Sequence, residues 1–322
     1  MQALAARFIP AADEVWLLQH GKGAESELFL KFAEKGHYGG RTRPTDTRQG
    51  IYCATPSGEF LSSLNHNDPR RVEAALRQAL AAWEAMPREK RLRPEAPAAA
   101  PEGRFRWETL FPADGLSLRV FVRDLPREGG PKEGDWRTRS WNQDSAWFRK
   151  EEARSFLPEK PAKGAVQEVP AALVRRLARC HLLDFVRGQT PVLPDAAVEK
   201  AVLRTEVLSV EGDLVVLRLS GETRTVHRGH WAVAGFKDME KPSEQERGYE
   251  ATLLGKARFD LAAGRFTEFE LVASGDRWGA TQYNGRTDDP GPAPMGFVLT
   301  LDIADPPLPV APAQIGAYGW RR

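Results

Sequence analysis

Residues 50–83 read GIYCATPSGEFLSSLNHNDPRRVEAALRQALAAW. Two short runs rich in strand formers, Ile51 to Thr55 and Glu59 to Leu64, flank Pro56-Ser57-Gly58. Proline suits the first corner of a tight turn and glycine takes the positive φ that closes it, so the pair predicts a β-hairpin. A helix start follows. Asp68 offers a carboxylate cap, and Pro69 stands at the first helical position, where its missing N–H costs nothing. Val72, Leu76, Ala79, Leu80 and Trp83 then fall on one apolar face. Arg70, Arg71, Glu73, Arg77 and Glu84 lie largely off that face. The helix must pack on something, most simply the hairpin's own sheet.

Upstream, EVWLLQ within Phe8 to Gln19 has the length of a buried strand. His20-Gly21-Lys22-Gly23 is a turn. Ala24 to Lys35 reads as a helix striped by Leu28, Phe29 and Phe32 and ended by Gly36. Gly39 to Gln49 is a polar loop. The order strand, helix, loop, hairpin, helix over residues 8–86 resembles a thioredoxin-like domain, with YCATPSGEFLSSLNHNDPRRVEAALRQAL in the place of its last two strands and final helix. The resemblance implies an α/β module. That family carries Cys-x-x-Cys where its first helix begins, and HGKGAESELF has no cysteine there. Its cis-proline precedes the hairpin, where this chain has TRQGIY. The resemblance therefore implies a module without ordinary dithiol exchange, either a scaffold or one that uses other chemistry.

Downstream, Pro87 to Gly103 is rich in Pro, Ala and charge and reads as a linker. Leu116 to Val122 alternates as a strand does. Three tryptophans, Trp136, Trp141 and Trp147, crowd one window, in which Asp144 or Ser145 caps an expected short helix reaching Ser155. Val169 to Arg187 is a stronger helix, with Leu173, Leu177 and Cys180 on one stripe and Gly188 and Pro191 beyond it. From Glu199 the period changes to two. Strands are expected about Glu211-Gly212-Asp213 and Ala262-Ala263-Gly264, with a last one in GFVLTLDI and a proline-rich extended tail after it. The fold class is α+β: a thioredoxin-like module (1–86), a linker (87–103) and a mainly antiparallel β barrel or sandwich with helical insertions (104–322).

Composition sets outer bounds. A chain of 322 residues suggests two domains, and 41% hydrophobic with 28% charged residues is ordinary for a globular protein. A net charge of +2 gives no electrostatic case for nucleic acid. No apolar run approaches the roughly 20 residues of a membrane helix. The first residues lack the apolar core of a signal peptide, so none is expected. These features fix no compartment. Two distant cysteines make neither a disulfide framework nor a cysteine-rich zinc site.

No complete catalytic constellation appears. Phosphate-loop, GxSxG and HExxH spacings are absent. Cys53 is a lone thiol; as a nucleophile it would need a cation such as Arg41, Arg48 or His66 beside it, and otherwise it is a small core hydrophobe. Cys180 and His181 are adjacent, so on a helix they point about 100° apart and cannot act on each other. His227 and His230 would need a further ligand, such as Asp238 or Glu240, to hold zinc. The three tryptophans line either a pocket or a core. The stretch DRWGATQYNGRTDDPGPAPMG is the best binding edge, through Trp278, Gln282, Tyr283, Asn284, Arg286, Asp288 and Asp289. Asp288-Asp289 also suits a hard cation. The expectation is a non-catalytic binding or scaffold protein, its partner a small molecule or a protein, with no cofactor and no nucleic acid. The alternative is a single-cysteine thiol enzyme using Cys53.

Overall fold

A computed structural model of the chain describes residues 2–12, 15–39, 47–66, 68–91, 105–233, 241–304 and 309–320. Two compact units emerge, Met1–Phe105 and Arg106–Arg322. The expected linker keeps one short helix, and its residues 92–103 lie outside the described residues.

The first unit runs α1 (Gln2–Ala5), α2 (Val15–His20), α3 (Ala24–Ala33), β1 (Ile51–Ala54), β2 (Phe60–Leu64), α4 (Pro69–Ala85) and α5 (Arg88–Arg91). The hairpin forms as its turn residues dictate. Gly58 takes φ 82° and donates its N–H to the Thr55 carbonyl. Asp68 caps α4 by accepting from the N–H groups of Arg70 and Arg71, and Ala75, Ala79 and Leu80 bury the helix face. Cys53, Leu61 and Ala79 form the small core. EVWLLQ is not a strand. Its described residues, 15–19, belong to α2, which leaves Trp16 and Leu17 half exposed. A run of four apolar residues fits a helical turn as well as a strand, and the Gly21 N–H closes that turn on the Leu17 carbonyl.

The second unit is an antiparallel sheet with helices on one face. Its elements are β3 (Leu116–Asp124), β4 (Trp141–Phe148), α6 (Lys150–Arg154), β5 (Val166–Glu168), α7 (Ala171–Cys180), β6 (Val198–Glu211), β7 (Leu214–Trp231), β8 (Ser243–Asp260), β9 (Arg265–Trp278) and β10 (Ala293–Leu301). Among the described residues eight strands pair in the order β4-β3-β10-β9-β8-β7-β6-β5. The sheet is open at β4 and β5; it neither closes into the expected barrel nor doubles into a sandwich. Its inner face needs no second sheet, because helices cover it. Leu203, Leu253, Ala273, Phe297 and Val122 follow one another across β6 to β3, interrupted on β7 by Gly221. Leu173, Val174 and Leu177 of α7 join that core. The outer face keeps the polar half of each alternation, with exposed Leu254, Val272 and Val298 among it.

Two expected helices change. Within the tryptophan window Trp136 starts a short 3-10 turn and Trp141–Phe148 forms β4, because its backbone pairs with β3 in the register Leu118 to Ala146, so the helix expected to begin at Asp144 or Ser145 is confined to Lys150–Arg154. The helix expected to Arg187 ends at Cys180, where His181 turns its ring to other partners. The tail is not simply extended either. A 3-10 turn at Ile315–Tyr318 packs Ile315 and Trp320 onto Trp147.

Candidate functional site

The return from β9 to β10, residues 279–292, is held from beneath by buried charge. Arg286 is fully buried. Its Nη2 lies 2.6 Å from Asp124 Oδ1 and its Nε 2.7 Å from Asp184 Oδ2. Asp289 accepts from Arg127 at 2.5 Å and from Arg187 and Arg277 at 2.9 Å each. Beside this cluster Arg137 bridges Asp135 and Asp288 at 2.7 and 2.5 Å. Five arginines thus meet five aspartates. Burial alone raises the Asp124 carboxyl, but Arg286, with Arg187 and Arg277, outweighs it and holds the group below the usual range. Asp289 is likewise raised by burial and brought lower still by Arg127, Arg277 and Arg187.

The loop so fixed walls a cavity of about 890 Å³ on the outer face of the sheet. Its floor follows the ladders. Lys200, Arg224, Glu250, Asp276 and Pro294 stand opposite one another from β6 to β10. Glu222, Thr252 and Ser274 form the next row. Trp278 rises at one side, half-buried, its Nε1 donating to Glu246 Oε1 at 2.9 Å. The indole rests on Gly248, its cross-strand partner, where a Cβ would overlap both the ring and the Thr225 carbonyl. Thr287 ties the opposite wall to the Val233 carbonyl at 2.5 Å. This volume falls in the roughly 300–1,000 Å³ range of small-molecule sites.

The seven residues expected at the binding edge divide by role. Trp278 lines this cavity. Tyr283 lines another of about 470 Å³, with Asn142, Gln143, Gln189 and Gln314. Asn284 is buried and accepts from the Thr281 N–H, while Arg286 and Asp289 lock the loop. Gln282 is half-buried, and Asp288 is exposed on Arg137. Arg137 engages Asp288 and Arg127, Arg187 and Arg277 engage Asp289, so both carboxylates suggested for a cation already face arginine. Among the described residues no group of three or more His, Cys, Asp or Glu is placed to hold a metal ion.

Cys53 is buried on β1, and burial pushes its thiol up despite a hydrogen bond with Ser62. Arg48 is engaged by Glu34 at 2.5 Å, and Arg41 lies outside the described residues. Cys180 is buried too, pushed up to about 11 by burial. His227 and His230 both lie on β7, three residues apart, so they face opposite sides of the strand. Burial and then the Arg247 guanidinium lower the His227 imidazole's affinity for a proton. Asp238 and Glu240 lie outside the described residues. Of the tryptophans, Trp147 is core, whereas Trp136 and Trp141 are 63% and 61% exposed. Trp141 borders a 420 Å³ hollow with Phe121 and Val298.

One buried chain escaped the sequence reading. His181 Nδ1 lies 3.1 Å from Asp144 Oδ2, and its Nε2 lies 2.5 Å from the Tyr318 hydroxyl. Asp144 Oδ1 also accepts from the Ala313 N–H. The Arg176 guanidinium covers the Tyr318 ring at 4.4 Å. The three residues come from β4, the end of α7 and the tail, so no local spacing announces them. They strap the tail to the sheet edge.

No family model, curated protein or solved structure matches the chain.

Proposed function

We propose that the chain is a non-catalytic binding protein whose ligand occupies the cleft between Trp278, the sheet's outer face and the loop 279–292. The observation that carries this reading is the buried arginine–aspartate network under the loop. Desolvating charge is costly, and a hydrophobic core would hold a loop as well. What the network adds is a wall fixed before the ligand arrives, which spares the ordering cost of binding. The first unit serves as a docking or scaffold module in this reading. Its hairpin closed by α4 keeps the last part of the thioredoxin-like order, the strand expected before it being helical, and its buried Cys53 has a packing role.

Ligand-observed magnetic resonance with a small-molecule library tests this directly. Ser274 sits exposed on the cleft floor, so Ser274→Trp fills the cleft without touching the core. Ligands of the unmodified chain should lose their signals with Ser274→Trp. Ligands that bind both proteins equally would place the site elsewhere.

A further inference from the structure

The cleft's charges point to the class of ligand. Lys200 and Arg224 face Glu222, Glu246, Glu250 and Asp276 across it, a lining net of −2. Three of the four carboxylates are already neutralised. Lys200 Nζ lies 2.5 Å from Glu222. Arg224 pairs with Glu250 and also reaches Glu199 at 2.9 Å. Glu246 takes Arg228 at 2.7 Å as well as the Trp278 N–H. Asp276 alone of the four has no cation within ion-pair distance among the described residues. Its neighbours across the ladders are Glu250 on β8 and Pro294 on β10. Like charges facing each other across a sheet are destabilising, and proline supplies neither a charge nor an N–H. Its charge is left to solvent and to whatever enters the cleft that it lines.

Two residues along the same strand and on the same face stands Trp278. Glu246 fixes its tilt and Gly248 gives it a seat. The ring already faces one cation, with the Arg224 guanidinium carbon 5.8 Å from its centroid. A carboxylate without a partner next to an oriented indole is the pairing that selects a positive charge carried on an apolar body.

We infer that the cleft takes an organic cation of the alkylammonium or guanidinium kind, with its charge on Asp276 and its carbon skeleton against Trp278. The inference rests on the cleft being the binding site, as proposed above. Choline and agmatine serve as probes, with 3,3-dimethylbutan-1-ol as the neutral isostere of choline. Each is titrated into the full chain at fixed ionic strength and followed by calorimetry and tryptophan emission. Choline or agmatine should bind saturably, and the isostere at least tenfold more weakly. Asp276→Asn should weaken the cation about tenfold, the loss of one charge-assisted contact. Asp276 is exposed and faces a like charge on Glu250, so this variant should melt no lower than the parent. Ser274→Trp should abolish binding. An isostere as good as choline, or an unchanged Asp276→Asn, overturns the cation while leaving the cleft standing. Cation binding that survives Ser274→Trp overturns the cleft itself. No binding of either cation overturns the inference, and the library screen then judges the cleft separately.

Discussion

At the scale of single residues, the decisive side chain is Arg286. Its partners Asp124 and Asp184 lie 162 and 102 positions away in sequence. The stretch around it reads as a polar loop, and nothing local shows that Arg286, Asn284 and Asp289 turn inward. The exposed partners of the cleft, by contrast, follow from strand alternation once the register is known. Arg286→Met keeps much of the volume but takes the nearest partner from two half-buried carboxylates, leaving Asp124 only Arg187 and Asp184 only the more distant Arg277. It should cost about 3–5 kcal/mol in urea unfolding. A variant of parental stability would reduce the network to ornament. Acid should act on the same groups. Asp124 and Asp289 titrate below their unfolded value of about 3.9. Their contribution is therefore fully present above that value and fades as pH falls through the depressed folded values. Thermal melts from pH 6 to pH 2 should show the decline beginning near pH 4, and Arg286→Met should flatten it.

At the scale of elements, alternation carried most of the information. The turns at Gly212 and Gly264 and the strands around them were legible because both faces of the sheet differ in polarity. Legibility failed where two elements share a composition. EVWLLQ suits either state, and the aromatic run of β4 became strand only because β3 offers it a ladder. The seat of the cleft's indole is a similar matter of pairing, since Gly248 gains its meaning only opposite Trp278. Gly248→Ala should displace the ring. The expected outcome is a lower melting temperature together with red-shifted tryptophan emission. An unmoved emission maximum would show that the indole does not depend on that seat.

At the scale of the whole molecule, the two units hold unequal cores. Among the described residues the first buries a few small patches, such as Cys53, Leu61 and Ala79 or Phe29 and Ala33, whereas the second has a far larger apolar cluster running from β3 to β10. Small cores leave less stability after chain entropy is offset. The longest helix among the described residues, α4, belongs to the first unit. Urea should therefore remove ellipticity at 222 nm before it changes the emission of Trp147, which is buried in the second unit. Coincident curves would mean that the units unfold together. The open sheet has one more consequence. A ladder with two ends is a template onto which further copies can polymerise. One end is only three residues long, at β5, and Glu168 there holds Arg204. At the other, the Tyr318 hydroxyl accepts the Trp147 N–H of β4, and the tail lies along the strand. The strap of Asp144, His181 and Tyr318 is thus also a guard against fibre growth, and loosening it would expose an edge that recruits its own kind.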